Sequence, residues 1–232
     1  MKKEKPKYLN FPISLLQGFM ESPKEALDNI MEYCIVYEMK MHQKPFGEAR
    51  EAFKMAEPHN FDDFLVSAFD VFDNTPINQP RTGLEVARFW EFHEEPKTDE
   101  EKAILLAFLA IKSILGVNTW YKLGRQEIIF HRMAGQADCK EEIPDTIKPF
   151  TTRHKFDKIK AALQLHWGIV IYANHTRGMY ISTTLNLEDL AFFVEKRKLA
   201  TRQKEAGLKA QHEAARTQAL LKLGVGENLH LK

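Results

Sequence analysis

Residues 151–183 carry five cationic side chains and one carboxylate, a net charge of +4. The cations are Arg153, Lys155, Lys158, Lys160 and Arg177, and the carboxylate is Asp157. Thr151 and Thr152 come directly before the first cation, at a predicted helix start. Cationic side chains and free backbone N–H groups at a helix N-terminus are the groups that bind phosphates. This pattern favours phosphate recognition rather than the making or breaking of bonds.

Patterns typical of catalysis or metal binding have almost no support elsewhere in the sequence. It contains no Gly-rich phosphate loop, nucleophile elbow or spaced Cys/His set. Asp62 and Asp63 follow Asn60 at a predicted helix start, where acidic residues are favoured, so we do not interpret them as metal ligands. Cys34 and Cys139 are too few for a disulfide framework. We predict a protein that is not an enzyme, has no metal or cofactor, and works in a reducing cytoplasm.

The net charge of +1 conceals a separation of charge along the 232 residues. Residues 1–7 hold four lysines and one glutamate and are predicted to be a disordered basic arm. Residues 8–97 contain 8 basic and 16 acidic side chains, whereas the tail from 184 to 232 contains 9 basic and 6 acidic ones. The longest uninterrupted apolar run, 103–111, is about half of the ~20 residues that span a bilayer, so no membrane segment is predicted.

The sequence predicts a mainly helical protein. In the acidic region 8–97, a Ser22 N-cap with Pro23 and Glu25 predicts a capped helix start, and further helices are expected over 47–56, 61–72 and 84–94. Aromatic side chains are expected in the core of this region, namely Phe69, Phe72, Phe89, Trp90 and Phe92. The tail, 185–232, is predicted to be a solvated helix interrupted near Gly207.

The sequence of residues 98–184 predicts a series of helices and strands. Thr98 and Glu101 form a capping-box pattern that opens an apolar helix to about Leu115. A short strand, 118–123, a second helix, 124–133, and a third helix, 151–166, come next. Two strands, 169–172 and 179–182, then form a hairpin around a turn rich in Asn and Gly.

This order of helix, strand, helix, helix and hairpin resembles the winged helix-turn-helix family over about 98–184. The resemblance implies that the third helix enters the DNA major groove and that the hairpin, the wing, touches the backbone or the minor groove. The implied third-helix positions are Thr152, Arg153, His154, Lys155, Lys158 and Ala161. The wing-tip positions are Asn174, His175, Thr176 and Arg177, and the phosphate-contact positions at the second helix are Lys122, Arg125 and Gln126. The link from 135 to 150 is much longer than the three- or four-residue turn of a helix-turn-helix.

The function that these features favour is binding of double-stranded DNA, by a transcriptional regulator or by the replication initiator of a mobile element. A palindromic site would imply a homodimer, for which Leu187, Leu190, Val194 and the tail helix are candidate surfaces. The alternative is a protein interaction module in which the winged helix is a scaffold and the acidic N-terminal half recruits a partner. A third interpretation is that the basic residues only form the solvent-exposed side of an amphipathic helix and do not contact nucleic acid.

Overall fold

The computed structural model describes residues 7–173 and 178–222 and is mainly helical, as predicted. The helices are α1 (Pro23–His42), α2 (Phe46–Ala52), α3 (Phe61–Asn74), α4 (Val86–Glu94), α5 (Asp99–Leu115), α6 (Glu127–Met133), α7 (Arg153–His166) and α8 (Leu187–Lys222). The strands are β1 (Tyr8–Pro12), β2 (Arg81–Glu85), β3 (Trp120–Leu123), β4 (Val170–Ala173) and β5 (Met179–Ser182). The chain divides into two compact units between Leu185 and Asn186.

The first unit has one hydrophobic core to which both halves contribute. Buried side chains of α1 and α4, such as Leu27 and Phe89, belong to the same cluster as Leu105 of α5 and Phe156 of α7. Phe72, Phe89 and Phe92 are buried, and Phe69 and Trp90 pack against this core, as the sequence predicts. The acidic region and the basic segment are therefore joined by continuous packing.

The prediction that the acidic region 8–97 is helical is wrong at residues 8–12 and 81–85, which form strands. β1 pairs with β2 antiparallel, with Tyr8 opposite Glu85 and Pro12 opposite Arg81. Because β2 occupies residues 81–85, the helix expected over 84–94 begins only at Val86. These strands are short and lie about 70 residues apart in the sequence, so local periodicity does not reveal their pairing.

The capping box expected at the start of α1 does not form. Ser22 makes no side-chain capping bond, and its backbone N–H donates instead to the carbonyl of Gly18 at 2.9 Å. Glu25 therefore has no free N–H to accept from at this position. Asn60, in contrast, caps α3 through the N–H of Asp63, which supports the interpretation of the neighbouring acids as helix-start residues.

The capping box at the start of α5 forms as predicted. The Thr98 backbone N–H donates to Glu101 Oε2 at 2.8 Å, and the Glu101 N–H donates to Thr98 Oγ1 at 3.3 Å. Hydrogen bonds from the Thr98 hydroxyl and backbone lower the pKa of the Glu101 carboxyl below its ordinary value. Beyond this cap, α5 buries side chains on nearly every side, and it contacts β2, β3, β5, α6 and α7.

The strands of the basic segment form a three-stranded antiparallel sheet in the order β3-β5-β4. Trp120 of β3 and Val170 of β4 both lie opposite Ser182 of β5. The buried Ser182 hydroxyl donates to the Thr119 carbonyl at 2.6 Å and accepts from the N–H of Leu185 at 2.9 Å. This hydroxyl therefore fixes the end of β5 against the start of β3.

Several predicted helix boundaries move. α2 ends at Ala52 because Phe53 departs from helical geometry and Lys54 adopts a positive φ of 58°. α6 begins at Glu127 rather than 124, whereas α7 begins at Arg153, directly after the predicted cap residues Thr151 and Thr152. The break expected near Gly207 is wrong: α8 is continuous, since one glycine costs a helix only about 1 kcal/mol relative to alanine.

The second unit contains α8, whose surface is exposed along most of its length. Leu190 and Val194, which the sequence offers as dimer contacts, are buried at 0% and 1% exposure, and the homodimer stays a prediction. Leu187 remains 53% exposed. No helix in the described parts of the chain is both long and apolar enough to span a bilayer.

The cap of α5 generates a stability prediction. Thr98→Ala should lower the free energy of unfolding by about 1 kcal/mol at pH 7, measured by urea denaturation, because it removes a formed cap. Since the folded pKa of Glu101 is depressed, its stabilisation is present above the ordinary glutamate pKa and is lost as the pH falls through the folded pKa. The difference in the free energy of unfolding between wild type and Thr98→Ala should therefore become smaller as the pH is lowered into the acidic range.

The matched control is Thr152→Ala, because Thr152 occupies the N-cap of α7 without making a side-chain capping bond. We expect its free energy of unfolding to stay within a few tenths of a kcal/mol of wild type. Equal losses in the two variants would contradict the assigned difference between the caps.

Candidate nucleic-acid interface

Helix α7 has an apolar inner face and a polar outer face. The inner side chains are buried: Phe156, Ile159 and Leu163. The outer stripe, spaced at helical intervals, is exposed along its length: His154, Lys158, Ala161 and Leu165. Leu165 is 76% exposed and was not among the predicted site residues. Extending the stripe by one turn from Ala161 would have found it.

The first turn of α7 leaves backbone donors open. Thr152 stands at the N-cap, but its hydroxyl makes no capping bond, contrary to expectation. The first bond within the helix runs from the Phe156 N–H to the Thr152 carbonyl at 2.9 Å. The preceding N–H groups of residues 153–155 have no acceptor within the helix. An anion placed at this end would meet those donors and the positive end of the helix dipole.

Carboxylates of the same chain partly neutralise the cations of α7. Lys155 Nζ lies 3.1 Å from Glu100 Oε1 on the first turn of α5. Asp157 accepts from Lys160 at 2.7 Å and lies 3.9 Å from Arg153 Nε. These pairs lie at the surface, and surface ion pairs are weak enough to be exchanged for phosphate contacts.

The cations also leave an electrostatic signature on their carboxylate partners. The hydrogen bond from Lys155 lowers the pKa of the Glu100 carboxyl, and the charges of Lys155 and Lys158 act in the same direction. The hydrogen bond from Lys160 lowers the pKa of Asp157, assisted by the charges of Lys160 and Arg153. Both carboxylates therefore stay ionised to a lower pH than ordinary glutamate and aspartate side chains do.

Lys158 and Arg153 are the most available cations on this surface. Lys158 has no carboxylate within 4 Å among residues 7–173 and 178–222 and is exposed. The Arg153 side chain is 96% exposed, and its contact with Asp157 is at the long limit of an ion pair. These two side chains can reach an external anion without breaking a tight internal bond.

The start of α6 and the start of α7 meet at one depression in the surface. This depression, of about 740 Å³, is lined by Arg125 and Gln126 before α6 and by Thr151 before α7. Both Arg125 and Gln126 are exposed. Lys122 lies instead on β3, with Nζ 6.0 Å from the centre of the Tyr180 ring across the sheet. The structure thus brings two of the three predicted second-helix positions close to the third helix.

The hairpin is present as the antiparallel pair β4 and β5, with Ala173 opposite Met179. The predicted wing-tip residues Asn174, His175, Thr176 and Arg177 lie outside the described residues.

The long link between α6 and α7 is held by buried contacts. His131 Nδ1 lies 2.7 Å from Gln136 Oε1, and Gln136 Nε2 donates to the Glu142 carbonyl at 2.9 Å. Ile147 and Phe150 are buried just before α7. These anchors position the start of α7 although residues 134–152 separate the two helices.

Helices α6 and α7 also contact each other directly. The rings of Phe130 and Phe156 lie 5.0 Å apart in an edge-to-face arrangement. Aromatic pairs of this geometry contribute about 0.5–1.5 kcal/mol beyond the area they bury. The long connection therefore does not separate the two helices in space.

Comparison with known proteins gives no match to a family model, to a curated protein or to a solved structure. In the described ranges, no group of three or more His, Cys, Asp or Glu side chains is arranged to hold a metal ion. The assignment of this surface therefore rests on its own geometry and charge.

Gly135 provides a test of how the link is fixed. Its φ is +76°, and an added Cβ would lie 2.8 Å from the backbone nitrogen of Gln17. Gly135→Ala should lower the free energy of unfolding by roughly 1–2 kcal/mol from conformation alone, and by more because backbone must move. Gly47→Ala is the control, since no atom lies within 4 Å of its added Cβ and its φ is not positive. A similar loss in both variants, measured by urea denaturation, would show that Gly135 is not a constraint.

Proposed function

We propose that residues 98–184 form a winged helix that binds double-stranded DNA, with α7 as the recognition helix. The observation that carries this proposal is the exposed cationic face of α7 beside the β3-β5-β4 sheet, within the order α5, β3, α6, α7, β4, β5. A winged helix has this order of elements. The exposed face supplies the charge that duplex binding requires.

The outer stripe of α7 suits a major groove. Arg153 and Lys155 are long donors at the N-terminal end, where they could reach guanine edges, and Lys158 lies one turn further along. Ala161 and Leu165 offer small and apolar contacts of the kind that meet a thymine methyl group. The outer stripe and the flanking Arg153 and Lys155 together combine phosphate neutralisation with base-edge contact, the two components of specific binding.

The other predicted positions take supporting roles in this proposal. Arg125 and Gln126 at the start of α6, and Lys122 on β3, would contact phosphates on either side of the groove. Thr152 and His154 would do so at the first turn of α7. Asn174, His175, Thr176 and Arg177 would contact the backbone or a narrow minor groove from the wing. The protein would act as a transcriptional regulator or as a replication initiator, and a palindromic site would require a homodimer.

A second function is favoured by a different surface, the outer face of α3. Val66 is 72% exposed on this helix, and Asp62, Asp63 and Asp70 of the same helix are exposed as well. An exposed apolar side chain on an acidic helix suits a basic protein partner. In this alternative the winged helix is a scaffold, and the acidic half recruits the partner.

The recognition helix can be tested by removing its two most available cations. Arg153→Ala with Lys158→Ala should weaken binding to a random-sequence duplex and reduce the slope of log K against log salt by about two, one for each lost phosphate contact. The measurement is fluorescence anisotropy over a salt titration. Selection of sites from random duplex would then give the preferred sequence.

Lys24→Ala with Lys40→Ala is the matched control, because it removes the same charge from α1 in the acidic half. Its salt slope should equal that of wild type. An unchanged slope in the α7 variant would refute the recognition helix. The interaction module would be favoured by a different result. In that case the wild-type protein does not bind duplex at low salt, and a co-expressed protein partner stays bound to it at high salt.

The ion pair between Lys155 and Glu100 makes an opposite prediction. Glu100→Gln releases Lys155 for phosphate and removes a carboxylate from the interface, so duplex affinity should rise roughly two- to fivefold, in line with the strength of an exposed pair. Glu94→Gln is the control, since it makes the same change at an exposed carboxylate at the end of α4. Equal tightening in the two variants would indicate a general effect of net charge rather than release of Lys155.

A further inference from the structure

A cavity of about 630 Å³ lies within the first unit, away from α7. Its walls come from β1, β2, α1 and the C-terminal end of α5, together with Phe53 after α2. Its volume is in the range of small-molecule sites. Two cations, Arg81 and Lys112, line it together with the rings of Tyr8 and Tyr37.

Neutral groups hold both cations in place. Arg81 Nη1 donates to the Tyr33 hydroxyl at 3.0 Å, and Nη2 donates to the Asn10 carbonyl at 2.8 Å. Lys112 Nζ donates to the Gly83 carbonyl at 2.8 Å. Within the described ranges, neither cation has a carboxylate within 4 Å. Both side chains are half-buried, and a cation partly withdrawn from water is stabilised by an anion, so a bound anion would complete this arrangement.

The cations keep hydrogen-bond donors to spare. A guanidinium has five N–H groups and an ammonium has three, and Arg81 and Lys112 use two and one of them in the bonds above. Their remaining donors can bind oxygen atoms of a carboxylate or phosphate.

The carboxylate that lines the cavity, Glu38, does not neutralise these cations. It pairs with Lys44 and lies 3.9 Å from His42. Burial lowers the pKa of the Lys112 ammonium, and the more distant Glu85 carboxylate only partly opposes this effect. Among the Arg, Lys, Asp and Glu side chains that line the cavity, Arg81 and Lys112 outnumber Glu38.

Aromatic rings accompany each cation. The Arg81 guanidinium lies 4.5 Å from the centre of the Tyr37 ring, and Lys112 Nζ lies 4.6 Å from the centre of the Tyr8 ring. Phe53 adds a third ring to the wall. Such walls favour a ligand with a flat, unsaturated body next to its charge.

Covalent chemistry by the cavity's thiol is disfavoured. Cys34 is buried, and desolvation raises the pKa of its thiol strongly, so it stays protonated at neutral pH. Its Sγ lies 3.7 Å from the Asn10 carbonyl. The cavity is thus suited to reversible binding rather than to nucleophilic attack.

From this geometry we infer that the cavity binds a small organic anion, with a carboxylate or phosphate on Arg81 and Lys112 and a flat unsaturated body against Tyr8 and Tyr37. This binding does not depend on the proposed contact with DNA, because none of these residues lies on α7 or at the start of α6. Such a ligand would complete the charge balance that the chain leaves open.

The experiment measures binding of benzoate, AMP and inorganic phosphate to the full chain by isothermal titration calorimetry. Benzoate or AMP should bind at sub-millimolar concentration and more tightly than phosphate, which carries charge without a ring. Lys112→Met, which keeps the apolar stem, should weaken that binding at least about tenfold, since a charge-assisted contact is lost. Lys112→Gln, which can still donate to the Gly83 carbonyl, should weaken it similarly.

Lys40→Met is the matched control, because Lys40 also lies over aromatic rings, those of Phe69 and Phe72, but outside the cavity. It should bind the organic anions as wild type does. Circular dichroism of each variant checks that it folds, and Lys112→Gln serves if Lys112→Met does not. The inference is overturned if no probe binds at millimolar concentration, if both Lys112 variants bind like wild type, or if phosphate binds as tightly as both organic anions.

Discussion

The burial of α5 is the constraint on which the rest of the first unit depends. This helix is surrounded by β2 on one side and by α6, α7 and the β3-β5-β4 sheet on others. One of its polar contacts satisfies a buried group of a neighbouring strand: the Leu109 carbonyl accepts from the buried Thr82 hydroxyl of β2 at 2.8 Å. Its two ends serve different surfaces, since Glu100 reaches Lys155 of α7 and Lys112 reaches the cavity beside β2. A shift of α5 would therefore disturb both.

The molecule uses its cations in two physically different ways. On α7 the cations are exposed, and nearby carboxylates hold several of them in weak pairs that water can screen. In the cavity the cations are partly withdrawn from water and held by carbonyls and ring faces. The first arrangement suits a large polyanion, whose condensed counterions are released when the cations contact its phosphates. The second suits a single small anion that brings one compensating charge.

Local patterns predicted the elements of the basic segment well, because each has a strong signal of its own. The Thr98 and Glu101 pair marks the start of α5, and the three- and four-residue spacing of apolar residues marks α7. The pairing of β1 with β2 left no such signal, since it joins strands about 70 residues apart. In the fold, α1 packs against β1 and α5 packs against β2. The capping box at Ser22 does not form for a related reason: the Ser22 backbone N–H, which the box requires, donates to the Gly18 carbonyl instead.

The candidate interface shows the same division. Residue types and helical spacing placed Arg153, Lys155 and Lys158 on one helix end, but could not say that Glu100, 55 residues earlier, would engage Lys155. The exposed Leu165 was also left out of the predicted site, although the helical spacing of the stripe extends to it.

By itself, the sequence determined that the protein is mainly helical, that its charge is divided between an acidic half and a basic segment, and where most helices begin. These properties depend on residues close together in the chain. Only the tertiary structure decided that both halves share one core, that Leu190 and Val194 are buried, and that Arg81 and Lys112 line one cavity. In the described residues, neither of these cations has a carboxylate within 4 Å. Those outcomes depend on packing between distant segments, where burial and pairing energies are set by neighbours that no local pattern names.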